Sequence, residues 1–262
     1  MSVSIVEIFN NATVEIVMLA ASLALFILSA IFDEFPHKKL AIKIFALLVI
    51  SSCIYVCLDK FCSKDSIFAF NQLYISNPHI NLFKLILSIL AFNALLMFKE
   101  SHFVAEAMGL KFAALLGGFI MLSANNLIPF YLGLELHCIC IYVLISLNAK
   151  PSKGILRYFF LGLLSSAIVL YGMSILYGSL ATTDFSIMVS GYTSSSKFLL
   201  GTKLGISLIA IGLIIKLFTS PANISKKASK AVSELLWMLN KPLMALVLLK
   251  FFWSIYLIGW NR

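Results

Sequence analysis

Eight apolar stretches, each long enough to cross a lipid bilayer, leave this chain almost no choice of fold class. They run over about residues 13–32, 41–58, 80–98, 104–123, 127–147, 155–177, 199–219 and 241–260. A hydrocarbon core of ~30 Å takes about 20 residues of helix. Inside lipid no water is available to the backbone, so each run must satisfy its own N–H and C=O groups as a helix. The expected fold is all-α, a polytopic transmembrane bundle of about eight helices. Composition excludes an ordinary water-soluble domain, because 61% of residues are apolar, 12% are charged and mean hydropathy is +1.01.

The polar joints between the runs are too short to hold a soluble domain. They are Asp33–Lys39, Asp59–Asn77, Lys99–His102, Asn125–Asn126, Asn148–Lys153, Thr182–Lys197 and the basic stretch Ser225–Lys241. One transmembrane domain over 1–262 is expected, in three parts: spans one to three over 1–102, spans four to seven over 103–221, and a basic loop with the last span over 222–262.

Charge sets the expected orientation. With the N-terminus outside, the inward joints hold Lys38, Lys39, Lys99, Lys150, Lys153, Arg157, Lys226, Lys227, Lys230 and Lys241, and the outward ones hold Lys60, Lys64, Lys197, Lys203 and Arg262. That excess of inward cations favours both termini outside. The net charge of +9 then belongs to topology and to anionic lipid on the inner leaflet. The lipid bilayer is the expected partner, and nucleic acid is not, since no soluble basic face exists. Residues 1–12 carry Glu7 and no basic cluster, so the first span, not a cleaved signal, is expected to direct insertion.

Little in the chain suggests covalent chemistry. Cys53, Cys57, Cys62, Cys138 and Cys140 show no paired metal-binding spacing and read as small buried hydrophobes. His37, His79 and His102 fall at helix ends, and no zinc, haem or iron–sulfur pattern appears. Phosphate loops, dinucleotide fingerprints and nucleophile elbows are also lacking.

What remains is a sparse set of ionisable residues at membrane depth: Glu135 in the fifth span, Lys111 in the fourth, Lys216 in the seventh and Lys250 in the eighth. Nearer span ends, Lys43 and Glu106 suit snorkelling to the headgroups, while Lys84 is open between snorkelling and function. Glu135 lies some eight residues inside its span on a short side chain, where a charge is costly and usually functional. Lys216 precedes Thr219, Ser220 and Pro221, which suggest a broken or hydrated helix end; snorkelling and function are both open there. A carboxyl and an ammonium at depth would form a proton switch, since their separation changes which of them holds the proton. His137 is about 200° around the helix from Glu135, which favours an interhelical hydrogen bond over a direct relay. Gly162, Ser165 and Ser166 suit close helix packing, with hydrogen bonds across the interface.

The blocks SANNLIPFYLGLELHCICIYVLISLN (123–148) and RYFFLGLLSSAIVLYGMSILYGSLATTDF (157–185) closely resemble subunit N of proton-translocating NADH:quinone oxidoreductase, complex I, an antiporter-like membrane subunit. Weaker similarity covers FNQLYISNPHINLFKLILSIL (70–90), with Lys84 at the family's third-helix lysine, and reaches back to Glu15. It continues to GLIIKLFTSP (212–221), where Lys216 falls at the helix 7 lysine. The resemblance implies that Glu135 and Lys216 are the paired carboxylate and lysine of a half-channel. Lys241 or Lys250 would stand in for the helix 8 lysine.

By the same resemblance the chain is a membrane-arm subunit contributing to proton translocation coupled to electron transfer from NADH to quinone. Such a subunit acts with other membrane subunits of complex I, in a bacterial inner membrane, and has no redox centre. NADH, FMN, Fe–S clusters and quinone belong to the implied complex, and no cofactor to this chain. After Pro221 the family's PFHxWxPDVYxGAP-type pattern is replaced by ANISKKASKAVSELLWMLNKP (222–242), and only about eight of the family's fourteen or so helices are expected. An Mrp-type cation/proton antiporter subunit, or a non-pumping remnant of a truncated gene, are the alternatives, beside a structural membrane protein with no ion path.

Overall fold

The computed structural model describes residues 12–31, 38–63, 67–96, 104–148, 153–185, 188, 199–219 and 240–253. Their helices are α1 (Thr13–Ile31), α2 (Lys38–Ser63), α3 (Pro78–Leu96), α4 (Val104–Ser123), α5 (Leu127–Asn148), α6 (Lys153–Leu180), α7 (Leu199–Phe218) and α8 over 240–253. All eight fall on the eight apolar runs. Six of them, α2 to α7, are long and apolar enough to cross a membrane, and the protein is an integral, multi-pass membrane protein.

Burial follows the membrane pattern. Large apolar side chains such as Leu48 and Tyr55 on α2 and Phe160 and Tyr171 on α6 are exposed on the outside of the bundle, where lipid tails meet them. The interior is formed around α4, most of which is buried. It packs against α1 and α5, while α6 pairs with α7 and α2 with α3.

Close helix approach comes from glycine. A Cβ on Gly117 of α4 would lie 2.7 Å from the Gly133 carbonyl oxygen and 2.8 Å from the His137 nitrogen, both on α5. On Gly172 of α6 it would lie 2.8 Å from the Gly205 oxygen of α7. Backbones that near leave no space for a side chain, which is how small residues bring membrane helices together. Of the three α6 residues expected at the interface, Gly162 accommodates the Tyr142 hydroxyl. Ser165 bonds within its own helix to the Gly162 carbonyl at 2.7 Å, and Ser166 takes a bond from α7.

The Asp59–Asn77 joint differs from expectation. Helix α2 continues past the end of its apolar run to Ser63, and a hairpin of β1 (Ile67–Ala69) and β2 (Tyr74–Ser76) follows. Its tip holds Phe70, Asn71 and Gln72 at φ values of 52, 51 and 66°, a region that costs non-glycine residues energy. External bonds hold it there. Asn125, between α4 and α5, donates its backbone N–H to Leu73 O at 2.9 Å and its side-chain amide to Gln72 O at 3.0 Å, and Ala124 bridges Tyr74.

The same connector binds the segment after α6. Asn126 bridges Asp184, Leu127 donates to Thr183 O at 2.9 Å, and Phe185 donates to Asn125 O at 3.1 Å. Asn126 Oδ1 also accepts the Ile128 N–H at 2.9 Å, the capping bond that starts α5. Phe130, Phe185 and Phe251 stack edge to face or tilted, with centroids 6.0 to 6.3 Å apart, and seat α8 on this connector.

Among the cysteines, Cys53, Cys57, Cys138 and Cys140 are buried as expected. Cys62 is exposed in the last turn of α2. Gly117→Val is expected to destabilise the bundle by roughly 3 kcal/mol or to prevent its accumulation, as overpacking does. Gly178→Ala, where a Cβ meets nothing within 4 Å, is expected to be neutral. Unfolding of both variants in detergent checks this contrast.

Candidate proton-transfer site

Glu135 and Lys216 come together in the interior from α5 and α7. Lys216 Nζ lies 3.8 Å from Glu135 Oε1, with the lysine side chain 3% exposed and the carboxylate side chain 24% exposed. At that separation the two are an ion pair but not a hydrogen bond. Glu135 Oε1 is buried and accepts no hydrogen bond among the described residues. Lys216 donates instead to Ser166 Oγ at 2.6 Å and to Cys138 Sγ at 3.0 Å.

Local sequence explains the placement. Cys138 follows Glu135 by three residues, so the thiol and the carboxyl share one face of α5. Ser166 comes from the small-residue stripe of α6, which lets α7 lie close enough for Lys216 to reach it. Helix α7 ends two residues beyond Lys216, where Thr219 Oγ1 bonds back to Ile215 O at 2.7 Å. The lysine thus sits buried at a helix end and does not snorkel.

The geometry sets two near-equal positions for the ammonium. Closing the pair from 3.8 Å to ~2.8 Å would gain about 1.5 kcal/mol at an effective dielectric of ~20. Giving up one of its two bonds, to Ser166 or to Cys138, would cost about the same, since a hydrogen bond to a charged group is worth ~1.5–3 kcal/mol. Protonation of Glu135 removes the attraction and leaves the ammonium with Ser166 and Cys138. A cavity of about 10 Å³ beyond Lys216, lined by Cys138, Tyr142, Thr219 and Asn240 among others, has room for one water molecule.

The other expected residues lie elsewhere. His137 faces away from Glu135 and links three helices, with Nδ1 2.9 Å from Ala114 O on α4 and Nε2 3.0 Å from Asn240 Oδ1 on α8. Lys250 is buried, and its Nζ donates to Met121 O at 2.8 Å and to Ala124 O, placing a cation on the carbonyl end of α4. Lys241 is half-buried at the start of α8, at the far end of that helix from Lys250. Lys111 is buried on α4 with Nζ 3.9 Å from Met108 Sδ. Glu106 accepts a hydrogen bond from Ser29 of α1 instead of reaching out to headgroups.

Sequence reasoning left out three participants. Cys138 read there as packing, and Ser166 as a residue that hydrogen-bonds across the interface with no partner named, because a thiol or hydroxyl in an apolar run does not say which charge it meets. The third is a second buried ion pair, Lys84 to Glu15 at 2.5 Å; the resemblance reached both residues, but nothing in the sequence paired them. Among the described residues, no group of three or more His, Cys, Asp or Glu side chains could hold a metal ion.

Comparison with known proteins finds similar membrane subunits. Residues 124–252 match the family model described as NADH:quinone oxidoreductase/Mrp antiporter, TM. NADH-quinone oxidoreductase subunit N of Paramagnetospirillum magneticum is 31% identical over 219 residues, covering 79% of this chain and 44% of that protein. The subunit N of Methylovorus glucosotrophus is 28% identical over 216 residues, with the same coverage of each. By sequence, the chain is similar to the NADH-quinone oxidoreductase subunit N of these bacteria. The chain spans less than half the length of those proteins.

Its fold matches a chain of respiratory complex I from Thermus thermophilus with a TM-score of 0.74 and 21% identity, covering 90% of this chain and 52% of that one. It also matches a chain of the Mrp complex from Dietzia with a TM-score of 0.75 and 15% identity, covering 95% and 49%. The chain therefore has the helical fold found in both assemblies.

Lys216→Met removes the ammonium and leaves Glu135 without a charged partner, which is expected to cost about 3 kcal/mol. Adding Glu135→Gln should recover a large part of that loss. A double-mutant cycle on unfolding is expected to give a coupling of about 1–3 kcal/mol.

Proposed function

We propose that this chain is a membrane-arm subunit of an NADH:quinone oxidoreductase complex that contributes to proton translocation coupled to electron transfer from NADH to quinone. The observation that carries this reading is a carboxylate and an ammonium at bilayer depth, 3.8 Å apart, with the ammonium held by neutral partners. Glu135 takes a proton, Lys216 responds by moving between the carboxylate and Ser166, and Lys250 is the next cation in the interior. Electrons do not pass through this chain, and NADH, flavin, iron–sulfur clusters and quinone are handled by other subunits.

The subunit N relatives favour this assignment over an Mrp-type antiporter subunit, since the fold itself is shared by both. The chain lies in a bacterial inner membrane, its N-terminus outside, by the excess of inward cations. Neighbouring membrane subunits are its partners.

Two measurements test the proposal. A tagged chain is expected to co-migrate on native gels with the NADH-oxidising activity of its host membranes, and Glu135→Gln in that complex is expected to lower proton pumping roughly tenfold or more. Pumping unchanged in an assembled Glu135→Gln complex would remove Glu135 from the path. For orientation, Cys62 at the end of α2 is expected to react with a membrane-impermeant thiol reagent from the outside of intact cells. Labelling only from the inside would reverse the topology.

A further inference from the structure

A second buried ion pair lies where the hairpin closes one end of the bundle. Lys84 of α3 is 1% exposed, and its Nζ lies 2.5 Å from Glu15 Oε1 on α1. The Tyr74 hydroxyl of β2 bridges both, 3.2 and 3.4 Å from the two Glu15 oxygens and 3.1 Å from Lys84 Nζ. Ser123 Oγ, at the end of α4, completes the group at 3.3 Å from Glu15 Oε1. We propose that Glu15 and Lys84 are a second proton-carrying pair, which passes protons between the interior lysines and the hairpin surface. The proposal rests on the reading that the chain takes part in proton translocation.

Connectivity distinguishes this cluster from a simple staple. Tyr and Ser hydroxyls both donate and accept, so Lys84, Tyr74, Glu15 and Ser123 form a continuous hydrogen-bonded chain. Its outer end is the hairpin, where Tyr74 is half-buried and Phe70, Asn71, Gln72 and Leu73 are exposed. At the inner end, Ser123 lies between Met121 and Ala124, whose carbonyls hold Lys250.

Several titratable groups face the pair. From α2 these are Cys53, Cys57 and Lys60, which interact with Glu15, and Asp59, which interacts with Lys60. From α8, Lys250 interacts with Lys84. Outside the spans, Tyr74 has its pKa raised by burial above all, so its phenol stays protonated and donates. Lys84 and Lys60 both interact with the one buried carboxylate, and Lys250 interacts with Lys84, so the protonation of each depends on the others. A pure staple would need only one of them, and buried pairs contribute little net stability.

The step balances. One proton moves from Lys84 Nζ to Glu15 Oε1, converting the ion pair to an amine beside a carboxylic acid. Glu15 then releases that proton toward the hairpin surface, and Lys84 takes another from the interior. Each cycle moves one proton and restores the pair.

The deciding variant is Lys84→Arg, because a guanidinium keeps the ion pair but never gives up its proton. In complex shown to be assembled on native gels, proton pumping per NADH oxidised is expected to fall at least about fivefold. Wild-type pumping in assembled Lys84→Arg complex would overturn the proposal and leave the pair a staple. Should the larger guanidinium prevent accumulation, Glu15→Gln keeps the hydrogen bonds and cannot carry a proton. The same loss is expected there, and wild-type pumping would overturn the proposal.

Glu135→Gln measured in parallel separates the two readings. Loss in Glu135→Gln with none in the other variants refutes this pair and keeps the half-channel. The converse keeps this pair and refutes the half-channel, and no loss in any of the three overturns both.

Discussion

The connector between α4 and α5 must satisfy its polar backbone with few residues, and the way it does so organises the bundle. Ala124 and Asn125 bind the hairpin, Asn125 and Asn126 bind the segment at 183–185, and Lys250 holds the carbonyls of Met121 and Ala124. Four parts of the chain are tied at one point. From there α5 runs inward with a fixed start, set by the Asn126 cap, which determines the depth at which Glu135 meets Lys216.

The two ion pairs are held in different states, and the difference lies in their neighbours. Glu15 and Lys84 are in direct contact, because Ser123 binds the carboxylate alone and Tyr74 bridges both groups and draws neither away. Glu135 and Lys216 are apart, because Ser166 and Cys138 compete for the ammonium. In a low-dielectric interior a shift of about 1 Å changes an ion pair by an amount similar to one hydrogen bond. Neutral hydroxyls and thiols therefore set the position of the charges at little electrostatic cost.

Much of this was legible in advance, for identifiable reasons. Helix positions followed from apolar runs, because lipid forces every run into a helix. Glu135 stood out because a short carboxylate cannot reach water from that depth. The separation of His137 from Glu135 followed from helical geometry. Other features were hidden. Lys84 and Glu106 lie near span ends, where a charged side chain could equally well have reached the headgroups, and only their partners on α1 show that they turn inward. The hairpin escaped notice because three-residue strands leave little pattern, and its tip uses left-handed Phe, Asn and Gln that bonds from Asn125 hold in place.

Sequence by itself determined that this chain is a membrane bundle and where its helices lie, since the bilayer acts on each segment independently of the others. It also marked Glu135 and Lys216 as charges at depth. Tertiary structure decided which charges meet. Partner choice depends on how closely helices approach, and that is set by backbone contacts such as Gly117 with Gly133 and Gly172 with Gly205. It also decided between Lys241 and Lys250 as the interior cation of α8, because only packing against the end of α4 buries one of them and supplies carbonyls to hold it.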